Sequence, residues 1–228
     1  MMPNSSLKTI AILGGTGKEG KGLAYRWAKA GYHVMIGSRT LEKAISAATE
    51  IRSLISGDTA IEGVSNDEAA TLADIVVLTV PYPAHRDTLE SLKGVLQGKI
   101  LIDVTVPLVP PKVTKVQMPP AGSAAQEACT ILGENVQVTS AFQNISHELL
   151  LHDEPVDCDV LVTGTSKEAR LVTLNLVKEA GLAGWDAGPI ENSVVVEGLT
   201  SVLININKQT GSTHAGVRIT GVSEKPEN

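Results

Sequence analysis

Gly15-Thr16-Gly17-Lys18-Glu19-Gly20 follows directly on an apolar run, Thr9–Leu13, and opens a stretch of helical period. A Gly-x-Gly-x-x-Gly pattern between a strand and a helix is what a dinucleotide pyrophosphate requires. Gly15 permits the tight turn and Gly17 lets backbone approach the phosphates. Gly20 lets the helix pack on the strand with its N-terminal amides facing the anion. The bland reading is a glycine-rich strand-to-helix turn that binds nothing. Lys18 lacks the following Ser or Thr of a P-loop, so a nucleoside triphosphatase is not indicated.

The second chemically informative stretch is Gly37-Ser38-Arg39-Thr40, at the end of the second apolar run. NAD-binding chains usually place Asp or Glu here, accepting from the ribose hydroxyls. Without the acid a 2′-phosphate meets no repulsion, and Arg39 offers a planar charged fork, with hydroxyls from Ser38 and Thr40. These residues favour NADP(H); the competing reading has Arg39 merely flanking the next helix. No Ser-His-Asp, Cys-His or metal-ligand constellation is evident, and Cys129 and Cys158 form neither a metal-spaced pair nor a disulfide framework.

The elements that must hold these stretches follow from the apolar pattern. Strand-length runs recur at Thr9–Leu13, His33–Ile36, Ile75–Val80, Ile100–Val104, Val136–Ala141 and Val160–Thr163. Helical period appears around Leu23–Ala28, ended by Gly31, and over Leu41–Leu54, Asp87–Leu96, Ser123–Leu132 and Ser166–Ala180. Strands apolar on both faces, alternating with helices, predict a doubly wound α/β fold with a mainly parallel Rossmann-type sheet. Residues 106–121 carry five prolines and read as a surface loop. After a turn at Gly188-Pro189, with cap candidates Asn192 and Ser193, the chain continues as one strongly apolar helix. That helix suits burial or a second subunit, which makes a homodimer an expectation. The tail beyond Thr210 is polar and reads as partly disordered. The division is a dinucleotide-binding domain over residues 7–188 and a small helical segment with tail over 189–228.

Composition narrows the partners. Aromatics are only 3% of the 228 residues, so Val, Ile, Leu and Ala must build the core. A net charge of −6 without a basic cluster argues against nucleic acid. No apolar run approaches a membrane span, and Met1–Ser6 lacks a signal-peptide pattern, so the expectation is a soluble cytoplasmic protein with small-molecule partners.

The stretches "AILGGTGKEGKGLA", "IGSRTLEKA", "VVLTVPY", "AAQEACTIL" and "DAGPIENSVVVEGLTSVLINI" together resemble the coenzyme F420-dependent NADP oxidoreductases. The similarity runs from about Leu7 to Ile206. The C-terminal stretch is the more telling part, because generic dinucleotide folds do not require it. The resemblance implies an enzyme passing hydride between NADPH and the deazaflavin of F420. It implies that Thr16, Lys18 and Glu19 line the NADP phosphates, with Ser38 and Arg39 at the 2′-phosphate. Thr79, Val80, Pro81 and Tyr82 would lie along the nicotinamide half. Hydride transfer between stacked rings needs close approach and exclusion of water rather than a side-chain nucleophile.

Two stretches depart from that family. Where it carries a His-containing stretch after the sixth strand, this chain reads Ala141-Phe142-Gln143-Asn144-Ile145-Ser146, closer to the reductase domain of the six-transmembrane metalloreductases. Val194 stands where an Arg is usual. An F420 site should offer cations to a phosphate and a polyglutamate tail; the candidates are Arg86, Lys112, Lys115, Lys208, His147 and His152. His147 is the best polar candidate near the acceptor ring, and equally reads as a hydrogen-bonded residue at a helix N-terminus. Two alternatives stay open: an NADPH-dependent reductase of a flavin, quinone or small imine or carbonyl, and a non-catalytic NADP(H)-binding protein.

Overall fold

The computed structural model describes residues 9–222, so the start of the expected first domain, at residues 7–8, and the end of the tail, at 223–228, lie outside the described residues. The expected alternation is present. Strands β1 (Thr9–Leu13), β2 (His33–Ser38), β3 (Ile61–Ser65), β4 (Ile75–Leu78), β5 (Ile100–Asp103), β6 (Gln137–Ser140), β7 (Asp159–Gly164) and β8 (Ala183–Pro189) form one sheet. Its order is β3-β2-β1-β4-β5-β6-β7-β8. The pairs from β3 to β6 are all parallel, β7 runs antiparallel to β6, and β8 is parallel to β7. Helices α1 (Lys18–Lys29), α2 (Leu41–Leu54), α3 (Asn66–Leu72), α4 (Tyr82–Leu92), α5 (Ala124–Leu132), α6 (His147–Leu150), α7 (Lys167–Glu179) and α8 (Ser193–Thr210) cover the faces or extend beyond them.

Two apolar clusters sandwich the sheet, as continuous Val/Ile/Leu strands demand. One gathers Ile10, Ile12, Trp27, Ile36, Val77 and Phe142; the other gathers Leu13, Leu78, Leu89, Leu101 and Val138. Trp27 anchors the first: its ring meets Phe142 edge-on at 5.7 Å, and its Nε1 donates to Leu176 O at 2.9 Å. The indole thus buries its apolar area without stranding its N–H.

Several elements differ from the sequence reading. β3 and β8 are additional strands at the two edges of the sheet, where only one side needs pairing and Gly, Asp and Pro are tolerated. β8 runs through the Gly188-Pro189 stretch that reads as a turn. α3 is a seven-residue helix capped by Ser65, whose side chain accepts from Glu68 N. α4 starts at Tyr82, five residues earlier than its apolar period suggests. Pro81 and Pro83 are tolerated there because a first-turn N–H has no helical partner. The part of the tail up to Ile219 is held by hydrogen bonds and an ion pair to the segment at the start of β7. Asp159 N donates to Val217 O at 2.7 Å, Ile219 N donates to Asp159 Oδ2 at 2.7 Å, and Arg218 pairs with Asp157. Among the described residues no helix is long and apolar enough to cross a membrane.

Candidate functional site

The C-terminal ends of β1, β2, β4 and β5 open on one cleft of about 560 Å³. This is the edge of an open α/β sheet at which ligands are received, where the strand order reverses. Gly14, Thr16, Gly17, Lys18 and Glu19 form one wall and Ser38, Arg39, Thr40 and Lys43 a second. Thr79, Val80, Pro81 and Tyr82 form a third, closed by Val104–Val106 and Leu108. The sequence-derived candidates therefore converge, with three exceptions. Gly15 and Gly20 are buried beneath the loop, where a Cβ on Gly20 would come 2.6 Å from Gly15 Cα. Their contribution is packing. His147 lines a different cavity.

The loop's geometry follows from its glycines. Gly14 takes φ +71°, and a Cβ there would press Val80 Cγ1 at 2.7 Å. Gly17 is the N-cap of α1, with no side-chain cap hydrogen bond. The first amides of α1 consequently have neither a helical nor a side-chain acceptor, and an anion could supply one. A dinucleotide pyrophosphate fits this end.

Glu19, in the first turn of α1, would repel phosphates if ionised. Its Oε1 is sealed from solvent without a hydrogen-bond partner, and burial pushes its pKa to about 8. At neutral pH the carboxyl is mainly protonated, so the repulsion is removed. At the end of β2, which lacks an acid, Arg39 and Lys43 place two cations on the cleft wall. Ser38 Oγ accepts from Thr40 N at 3.1 Å, which shapes that turn.

Beneath the Thr79–Tyr82 wall lies a polar network with a buried centre. Tyr82 donates to Glu127 Oε2 at 3.1 Å, and Arg86 pairs with the same carboxylate at 2.5 Å. His85, fully buried, meets Asp103 Oδ2 at 2.7 Å through Nε2 and faces Glu127 across 3.6 Å. Burial alone would lower the His85 pKa, but Asp103, Glu127 and Glu197 outweigh it and raise it. Burial and then Glu127 push Tyr82 to about 12, so its hydroxyl stays protonated. Glu197 on α8 accepts from Ala124 N at 2.7 Å and Ala125 N at 3.1 Å, closing the N-terminus of α5.

Of the candidate cations for an acceptor, Arg86 is engaged by Glu127 and Glu90. Lys112, Lys115, Lys208 and His152 line neither this cleft nor the His147 cavity, and nor does Val194. Phe142 is core, packed on Trp27. The sequence reading missed Lys43, Asn66 and Thr105. Lys43 was signalled by its place one turn beyond Arg39. Asn66 was hidden because α3 is short; its Oδ1 reaches Gly14 N at 3.4 Å.

A doubly wound sheet, an uncapped helix terminus over a glycine turn and two cations at the end of β2 are the features of a Rossmann-type dinucleotide-binding fold. Residues 9–107 match the family model for NADP oxidoreductase coenzyme F420-dependent. The chain is 41% identical over 223 residues to the F420-dependent NADP reductase of Methanothermobacter thermautotrophicus, covering 95% of this chain and 96% of that protein. It is 40% identical over 221 residues to the enzyme of the same name from Methanocaldococcus jannaschii, covering 93% and 98%. A solved structure from Arthrobacter sp. fb24, assigned as an F420-dependent NADP-reductase, shares the fold with a TM-score of 0.78 at 22% identity, over 92% of this chain and 98% of that one. The chain belongs to the F420-dependent NADP reductase family.

Proposed function

We propose that this protein transfers a hydride between NADPH and the deazaflavin coenzyme F420. The observation that carries the reading is the cleft: an open α1 terminus for the pyrophosphate, and Arg39 with Lys43 for a 2′-phosphate. The similarity over nearly the whole chain to proteins named for this reaction supplies the acceptor. In this reading Thr16, Gly17, Lys18 and Glu19 line the pyrophosphate, and Ser38 and Arg39 hold the 2′-phosphate. Thr79, Val80, Pro81 and Tyr82 form the floor under the nicotinamide, with Gly15 and Gly20 shaping the loop from below.

The hydride passes directly from the dihydronicotinamide to the deazaflavin while a proton is taken from solvent. The protein's part is to bind both rings face to face and keep water away. The His85–Asp103–Glu127 network keeps Tyr82 fixed on the cleft wall, a positioning role. Residues 7–188 act as the nucleotide domain and 189–228 as the acceptor-side segment. Exposed Val195, Val202 and Ile206 on α8 support a homodimer formed through that helix. The cytoplasm, which supplies both coenzymes, is the place of action. Purified protein mixed anaerobically with NADPH and F420 will bleach the deazaflavin absorbance. Tight NADPH binding with no bleaching would overturn the F420 assignment in favour of another acceptor.

A further inference from the structure

Of the five histidines, all within the described residues, only His85 is fully buried. It sits between two carboxylates. Nε2 meets Asp103 Oδ2 of β5 at 2.7 Å. Nδ1 faces Glu127 Oε2 of α5 at 3.6 Å and has no hydrogen-bond partner of its own. A neutral imidazole has one N–H, enough for one carboxylate; an imidazolium has a proton for each.

Both carboxylates stand directly behind the cleft wall. Asp103 Oδ1 accepts from Thr105 N at 3.0 Å, and Thr105 Oγ1 donates to Val80 O at 3.4 Å. Glu127 Oε2 accepts from the Tyr82 hydroxyl at 3.1 Å, and the Tyr82 and His85 rings lie 5.9 Å apart, centroid to centroid. Val80, Tyr82 and Thr105 all line the cleft. The charged groups that face His85 are Asp103 on β5, Glu127 on α5 and Glu197 on α8; Arg86, on its own helix, pairs with Glu127. Cys129 of α5, near Asp103, is a thiol that burial pushes up to about 11, so it stays neutral. Burial opposes a charge on His85, but the three carboxyls outweigh it and hold its pKa above the ordinary value. Loss of that proton removes one positive charge from behind the wall. Two carboxylates then remain there against the Arg86 guanidinium. Charge in a buried network acts over several ångströms, because little solvent screens it.

We propose that the charge on His85 sets which oxidation state of the nucleotide the cleft prefers. The nicotinamide ring is cationic in NADP+ and neutral in NADPH, while the phosphates of the two are the same. The more negative network left by a neutral His85 attracts the cationic ring. NADP+ therefore gains on NADPH as pH rises through the His85 pKa. His85 touches no substrate; it is a positioning residue whose charge acts through the wall. The inference rests on the reading that lays the nicotinamide along Thr79–Tyr82.

Glu197, raised to about 8 by burial and then by Asp103, adds charge in the same sense, so the test is made in Glu197→Gln. Dissociation constants for NADP+ and NADPH are measured by titration calorimetry from pH 6 to 9. Alongside them 2′-phospho-ADP-ribose is titrated, a ligand with the phosphates and no nicotinamide. In Glu197→Gln the Kd for NADP+ divided by that for NADPH falls by about fivefold or more over this range. In Glu197→Gln/His85→Gln it changes less than about twofold, and 2′-phospho-ADP-ribose binds both variants alike. Should the double variant fail to fold, Glu127→Gln in the otherwise unaltered chain removes one negative charge and raises the ratio at pH 9 by about threefold or more. The inference is overturned by a ratio whose pH dependence is the same with and without His85, or by an equal change in 2′-phospho-ADP-ribose binding. A ratio unmoved by Glu127→Gln overturns it too. Each of these results leaves the cleft as the nucleotide site, whereas binding of none of the three ligands overturns the NADP reading as well.

Discussion

In the proposed reading Arg39 recognises the nucleotide through charge, and its loss has a defined signature. Arg39→Ala removes a charged partner of the 2′-phosphate, weakening NADPH by ~1.5–3 kcal/mol and leaving NADH nearly unchanged. Equal losses for both nucleotides, measured by fluorescence titration, would show that Arg39 does not read the phosphate. At this scale the sequence was informative where chemistry and chain position coincide: glycines directly after a strand, and an arginine where an acid is usual. It was silent where the partner is distant in sequence. His85 and Asp103 stand 18 residues apart, and Glu197 reaches across 73 residues to Ala124. Nothing in their local pattern announces those contacts, since each reads alone as an ordinary polar residue.

In the proposed reading nucleotide binding depends on the α1 terminus, and Gly17 tests this cleanly. Its backbone sits at φ −73° and ψ 166°, which any residue adopts, and a Cβ there meets only Gly14 O, at 3.5 Å. Gly17→Val therefore folds, with a melting curve close to wild type, while its branched side chain occupies the pyrophosphate's approach and NADPH binding is lost. Loss of the fold itself would show that Gly17 is structural. Short but continuously apolar strands such as β1 and β4 were legible because burial on both faces leaves no alternative to the pattern. β3 and β8 were not. Each lies at an edge, and β8 spends Gly, Asp and Pro on positions that tertiary pairing alone makes extended. The order of tail and core was also invisible, because the tail is held by backbone bonds to Asp159 rather than by apolar residues.

For the whole molecule, α8 is docked through a carboxyl that is costly to ionise. Burial, and then Asp103, raise Glu197 from 4.5 to about 8. Between those values the folded chain keeps a proton that the unfolded chain has released, so stability falls as pH rises from about 4.5 to about 8. Glu19 acts in the same direction. Urea midpoints measured from pH 5 to 8.5 will fall, and the fall will be shallower in Glu197→Gln; identical slopes would show that Glu197 ionises freely in the fold. The central claim concerns the path of the hydride. NADPH carrying two deuterons at nicotinamide C4, mixed with F420 in ordinary water, is predicted to yield reduced deazaflavin containing one deuteron per molecule by mass spectrometry. Reduced F420 with no deuterium, or NADPH left unoxidised in the presence of F420, would contradict direct transfer between the two rings.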